Sequence, residues 1–159
     1  MTSGDLRYEV ETELDFLEQI VNELTALEKD IGDNEPTVRE RTAASAFLAQ
    51  FYTGIENILK RISRYQGLSL PIGDSWHIDL FHRFCEPGHK NLPILFDAAL
   101  APIMASYRKF RHVVHHGYGF QVEWNRLHDG ISQITSVFDA FRDRLLQYLR
   151  YVERNDRRK

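Results

Sequence analysis

The chain has 159 residues, of which 43% are hydrophobic and 27% charged, and its formal net charge is −3. A chain of this length can bury roughly 70% of its unfolded surface when it folds as one domain. We therefore expect a single domain over residues 1–159. Its one cysteine excludes an intrachain disulfide and a thiolate-rich metal cluster. The N-terminus lacks the features of a signal peptide, and no apolar run approaches the ~20 residues of a membrane span. We therefore expect a cytoplasmic protein with no membrane partner.

Apolar residues recur at steps of three and four along most of the chain, which is the period of an amphipathic helix. The first helix is predicted to end near Gly32. The second begins at Pro36, because proline suits the first turn of a helix, and it ends near Gly67. Loops around one short helix follow, in the segment "SWHIDLFHRF", with Ser75 as the predicted N-cap.

The second half of the chain continues the helical pattern. A segment starting at Asn91 and Pro93 is predicted to be helical, and Pro102 must kink or restart it because proline removes a helix hydrogen bond. This segment ends at Gly117, a typical C-terminal stop, and a long last helix covers residues 124–152. No alternating strand pattern appears. The sequence therefore predicts an all-α fold, an up-and-down bundle of four long helices plus a short helix.

The segment "RKFRHVVHHGYG", residues 108–119, contains three of the seven histidines of the chain. It lies within 25 residues, 98–122, that include no Asp or Glu. With Phe110 at the centre of the buried face, the outward arc of this helix end is entirely Arg, Lys and His. The residues of that arc are Arg108, Lys109, Arg111, His112, His115 and His116. Arg111 and His116 then lie about 140° apart, so they act together only if the last turn unwinds or a second chain supplies half the site.

Three interpretations of this arc are open. It can be a solvated surface, although solvated faces usually mix charges of both signs. It can be a metal site, because His112 and His116 at i, i+4 could share one ion, but no third ligand of obvious identity lies nearby. It can also bind the phosphate groups of RNA, since the guanidinium of arginine donates two parallel hydrogen bonds to phosphate oxygens and neutral histidine accepts a proton near pH 7. The prediction includes no metal and no cofactor.

The spacing of Arg111, His116 and Tyr118 resembles the R-x4-H-x-Y signature of HEPN-domain proteins. The chain is most similar to the HepT-like ribonuclease toxins of bacterial toxin–antitoxin systems. The segments "FLAQFYTGIENILKRI", "GDSWHIDLF", "YRKFRHVVHHGYGF" and "WNRL" resemble that family in the same order, roughly from Ala43 to Leu127.

The resemblance implies a metal-independent endoribonuclease toxin that works on an RNA substrate as a homodimer or higher oligomer. It implies that His116 acts as acid or base while Arg111 holds the non-bridging phosphate oxygens, during attack by a ribose 2′-OH. It also implies a partner, an MNT-type nucleotidyltransferase antitoxin that neutralises the toxin by AMPylation of Tyr118. The alternative is a catalytically silent HEPN module that binds a nucleotide or the antitoxin as a scaffold. No role is carried onto His112 or His115.

Further residues have two interpretations each. Glu56 interrupts an apolar helix and either orients Arg111 by a charge-assisted hydrogen bond or faces solvent. Arg108 and Lys109 either contact the RNA backbone or are solvated charges. Trp76 either packs in the core or an interface, or it forms a platform for base stacking.

Overall fold

The computed structural model describes residues 1–159 as an all-helical chain. Its helices, in order, are α1 (Ser3–Ile31), α2 (Val38–Tyr65), α3 (Trp76–His82), α4 (Leu100–His116) and α5 (Trp124–Asp156). One turn of 3-10 helix, Gly119–Gln121, lies between α4 and α5. The predicted all-α bundle of four long helices plus a short helix is confirmed. None of these helices combines the length and the apolar character needed to span a bilayer.

Capping boxes fix the starts of the first two helices. The hydroxyl of Thr2 accepts the amide of Asp5, and the Asp5 carboxylate accepts the amide of Thr2 in return. Thr37 and Glu40 make the same reciprocal pair at the start of α2. The second helix therefore begins just after Thr37, and the predicted first position, Pro36, lies before the cap.

The core is one apolar cluster of 35 buried residues to which all five helices contribute. The second helix, α2, packs against each of the other four helices and is therefore the central helix of the bundle. Gly54 lets α1 approach α2 closely, because a Cβ at this position would lie 2.6 Å from a methyl carbon of Leu17.

The predicted helix start at residues 91–93 is wrong. The amides of Leu95 and Phe96 both donate to the carbonyl oxygen of Phe84, at 3.0 and 3.1 Å. These bonds satisfy the backbone outside a helix and tie the segment to the end of α3. A contact with a residue 11 or 12 positions earlier leaves no periodic signal in the local sequence.

The caps on either side of this segment also differ from prediction. The Asp97 carboxylate accepts the amide of Leu100 at 2.8 Å and so caps α4. Pro102 consequently lies in the first turn, where its missing N–H breaks no helix hydrogen bond. The hydroxyl of Ser75, the predicted cap of α3, accepts no backbone amide and instead donates to the Asp79 carboxylate at 3.3 Å.

Candidate functional site

The buried face of α4 differs from the one predicted with Phe110 at its centre. Its buried residues are Leu100, Met104, Tyr107 and Phe110. This stripe is centred about 65° around the helix from Phe110, and Arg111, at 100°, lies about 35° from that centre. Val113, about 60° from Phe110 around the helix, is 41% exposed. The placement of Arg111 on an outward arc is therefore wrong, and its side chain is 19% exposed.

Arg111 lies in a polar niche between α4 and α2. Its Nε donates to the Oγ1 of Thr53 at 2.9 Å. Its Nη2 lies 3.8 Å from the Oε1 of Glu56, whose side chain is only 2% exposed. The interpretation of Glu56 as a solvent-facing residue is wrong, because the carboxylate is buried beside the guanidinium. The pair can hold the guanidinium fork in one orientation.

His77 of α3 completes this niche, although the sequence analysis gave it no role. Its Nδ1 lies 2.5 Å from the Oε2 of Glu56 and 3.4 Å from the Nη1 of Arg111. The indole of Trp76 stacks on the imidazole with 3.5 Å between ring centroids, and the ammonium of Lys60 lies 4.5 Å from the indole centroid. Trp76 is thus half-buried in packing contacts. A buried acid interrupting an apolar helix was the only sequence signal for a niche here.

Arg108 and Lys109 have different environments. The guanidinium of Arg108 lies 5.3 Å from the ring centroid of Phe81, and its Nε is buried without a hydrogen-bond partner. Arg108 is therefore half-buried under α3, and its predicted place on a fully outward arc is wrong. Lys109 is exposed, as the arc predicted.

All three histidines of α4 are exposed, but His115 lies closer to the direction of Arg111 than the other two. His112 and His116 are exposed, with 4.4 Å between their ring centroids, on the side of α4 away from Arg111. His115 lies nearer the niche, and its pKa is below the ordinary value because of partial burial and the positive charge of Arg111. No third His, Cys, Asp or Glu joins the His112–His116 pair as a group that could hold a metal ion.

Tyr118 is presented at the surface just after α4. Its side chain is 68% exposed and stacks on Phe120 with 5.6 Å between ring centroids. Gly117 has an extended backbone with φ of −151°, which any residue can adopt. Gly119 is required for a close approach instead, because a Cβ there would lie 2.9 Å from the Cβ of Ser45. The Ser45 hydroxyl also donates to the Gly119 carbonyl oxygen at 2.8 Å, which fixes the loop after the tyrosine.

Comparison with known proteins identifies the family. No curated protein and no solved structure matches the chain. A family model described as HepT-like protein matches residues 43–152, which include the Arg111 niche, α4 and Tyr118. The match covers more than half of the 159 residues. The chain therefore belongs to the family of HepT-like proteins.

Proposed function

We propose that this protein is a metal-independent endoribonuclease and the toxin of a bacterial toxin–antitoxin system. The observation that carries the proposal is the Arg111 niche. A guanidinium held by Thr53 and by the buried Glu56 lies on the same helix end as an exposed His116 and an exposed Tyr118. Together with the HepT-like family match, this constellation supports phosphate handling more than a solvated surface.

The chemistry follows from what RNA cleavage requires. The 2′-oxygen of a ribose forms a bond to the adjacent phosphorus while the bond from phosphorus to the 5′-oxygen breaks. The products are a 2′,3′-cyclic phosphate and a 5′-hydroxyl. Arg111 stabilises the charge that grows on the non-bridging oxygens, a contribution that typically amounts to about 10²- to 10³-fold in rate. His116 transfers a proton at one of the two reacting oxygens.

A dimer resolves the geometry of this site. His116 projects from α4 about 140° away from Arg111, so one chain does not bring the two side chains to the same phosphate. Exposed apolar side chains, Val113, Tyr118 and Phe120, surround the end of the helix. We propose an isologous dimer about this helix end, in which each cleft takes Arg111 from one chain and His116 from the other. The molar mass from light scattering should stay that of a dimer as salt rises, whereas RNA affinity should fall steeply.

Tyr118 is proposed as the site of AMPylation by an MNT-type nucleotidyltransferase antitoxin. A side chain that is 68% exposed is accessible to the active site of another enzyme. The added phosphodiester and purine would lie where the RNA backbone must pass, and the phosphate would compete for Arg111. Lys109, which is exposed on the same helix, is proposed as a contact to the RNA backbone, together with the guanidinium of Arg108.

One observation favours a second candidate function. The guanidinium of Arg111 is engaged by Thr53 and faces Glu56, which is also what a purely structural arginine would do. The second candidate is therefore a catalytically silent module that binds a nucleotide or the antitoxin as a scaffold.

Incubation of the purified protein with total RNA, with and without EDTA, separates these functions. The proposal predicts cleavage that persists in EDTA and disappears in His116→Ala, a substitution at an exposed position that leaves the fold intact. Absence of cleavage by the wild type favours the scaffold. Cleavage that EDTA abolishes favours a metal site at the histidines and contradicts the proposal.

A further inference from the structure

Cleavage through the 2′-OH needs two proton transfers, one from the attacking oxygen and one to the departing oxygen. The motif histidine, His116, supplies one group, and it lies on the far side of α4 from Arg111. The niche around Arg111 contains a second imidazole, that of His77, with its Nδ1 3.4 Å from the Nη1 of Arg111. This residue comes from α3, outside the R-x4-H-x-Y motif.

We propose that His77 is the general base that takes the proton from the ribose 2′-OH, with Glu56 as the residue that positions it. The proposal rests on the ribonuclease activity proposed above. It assigns the transfer to the leaving 5′-oxygen to His116. In this proposal each histidine carries out one of the two proton transfers, whereas the motif by itself contains only one histidine for both.

The contact between Glu56 and His77 fixes which nitrogen does the chemistry. The Glu56 carboxylate lies 2.5 Å from Nδ1, so Nδ1 carries a proton and donates it in this hydrogen bond. The Arg111 guanidinium is only a donor, so its 3.4 Å contact to the same nitrogen is one of packing. Nε2 is left with a free lone pair and can accept a proton. The Glu56 charge then stabilises the imidazolium that forms, as the carboxylate does in a hydrolase triad.

The surroundings hold the ring while leaving part of it open. The indole of Trp76 covers one face of the imidazole, and Glu56 covers the Nδ1 edge. The His77 side chain is nevertheless 30% exposed, against 2% for Glu56. Neither of these contacts involves Nε2, which lies away from the Nδ1 edge of the ring. A substrate phosphate held by Arg111 would bring its ribose to this side.

In the proposed step every proton is accounted for. Nε2 of His77 takes the 2′-OH proton as the bond between the 2′-oxygen and phosphorus forms. The bond from phosphorus to the 5′-oxygen breaks, and a protonated His116 gives its proton to that oxygen. Both histidines end in the opposite protonation state, and exchange with water restores them. No oxidant, metal or further reactant is needed.

Paired substitutions at His77 separate a chemical role from a structural one. Asparagine can present an N–H near the place of Nδ1 and keep the bond to Glu56, but it has no nitrogen in the place of Nε2. We expect His77→Asn to fold, to form the same oligomer as wild type and to lose cleavage by about 10²- to 10⁴-fold. His82→Asn, an exposed histidine at the end of the same helix, is the matched control and should cleave like wild type.

The leaving group decides which proton each histidine transfers. In an RNA whose 5′-bridging oxygen is replaced by sulfur, the thiolate departs without protonation, so the general acid becomes dispensable. His116→Ala should regain cleavage on this substrate to within about tenfold of wild type, while His77→Asn should stay defective by its full factor. Recovery of His77→Asn, or cleavage of ordinary RNA by His77→Asn at the wild-type rate, would overturn the assignment. If wild type cleaves neither RNA, the proposed function itself fails, which is a different result from the failure of His77 alone.

Discussion

Replacement of Arg111 by alanine should destabilise the protein, in contrast to what its polar motif would suggest. The substitution removes the hydrogen bond from Nε to Thr53 and the cation that faces Glu56. The Glu56 side chain is only 2% exposed, so its carboxylate stays buried in the variant. It keeps its contact with His77 but loses the guanidinium that faced it.

The expected loss can be estimated from these contacts. Breaking a fully buried pair costs about 3–5 kcal/mol, and a hydrogen bond to a charged group contributes about 1.5–3 kcal/mol. We expect Arg111→Ala to cost less than the upper end of the range for a buried pair. The guanidinium lies as far as 3.8 Å from Glu56, and Glu56 keeps its contact to His77 in the variant. We expect a decrease of about 2–3 kcal/mol in the free energy of unfolding, or roughly 4–12 °C in Tm for a chain of this size.

Urea denaturation monitored by circular dichroism measures this difference at an unchanged m-value. Lys109→Ala, at an exposed position on the same helix, is the control and should change the stability by less than about 0.5 kcal/mol. Glu56→Gln combined with Arg111→Ala should cost less than the sum of the two single changes, because no buried charge is left. Equal stability of Arg111→Ala and Lys109→Ala would refute the account of a buried niche.

Three other predictions concern the end of α4 and the loop after it. Gly119→Ala should lower the unfolding free energy by about 1–3 kcal/mol in chemical denaturation, because its Cβ would lie 2.9 Å from Ser45; unchanged stability would contradict the close approach. Tyr118→Phe should stay toxic but gain no AMP mass on co-expression with the antitoxin, and normal neutralisation of this variant would count against AMPylation. Arg111→Gln should raise the pKa of His115 in an NMR titration, since partial burial and the Arg111 charge both depress it in the wild type; a constant pKa would show that the Arg111 charge does not act on His115.

The helical period predicted the bundle because burial of one face is a local property of the sequence. The predicted helices correspond to α1, α2 and α5, and the ends at Gly32 and Gly117 agree with the predicted stops. The helix start predicted at residues 91–93 is wrong because this segment forms backbone hydrogen bonds to Phe84 instead. The helical period of the sequence carries no information about such a contact. The T-x-x-E spacing that begins at Thr37 is the sequence signature of the capping box that starts α2.

The candidate site was predicted in part. The motif placed His116 and Tyr118 on α4 and just after it, at exposed positions. The helical wheel centred on Phe110 put Arg111 on the outward arc, but the buried stripe of α4 is centred closer to Arg111, and the buried carboxylate that accommodates the arginine belongs to another helix. His77 was missed for the same reason. Its role depends on the approach of α3 to Glu56, and no spacing within one helix encodes a contact between two.

The central claim is that the protein cleaves RNA through the ribose 2′-OH without a metal. The most direct test incubates wild type in EDTA with a short RNA that it cuts and with the same oligonucleotide carrying a single 2′-deoxy sugar at the cleaved position. Mass spectrometry should find a 2′,3′-cyclic phosphate and a 5′-hydroxyl from the RNA and no cleavage at the deoxy position. Cleavage at the deoxy position, or products ending in a 3′-hydroxyl and a 5′-phosphate, would contradict the account.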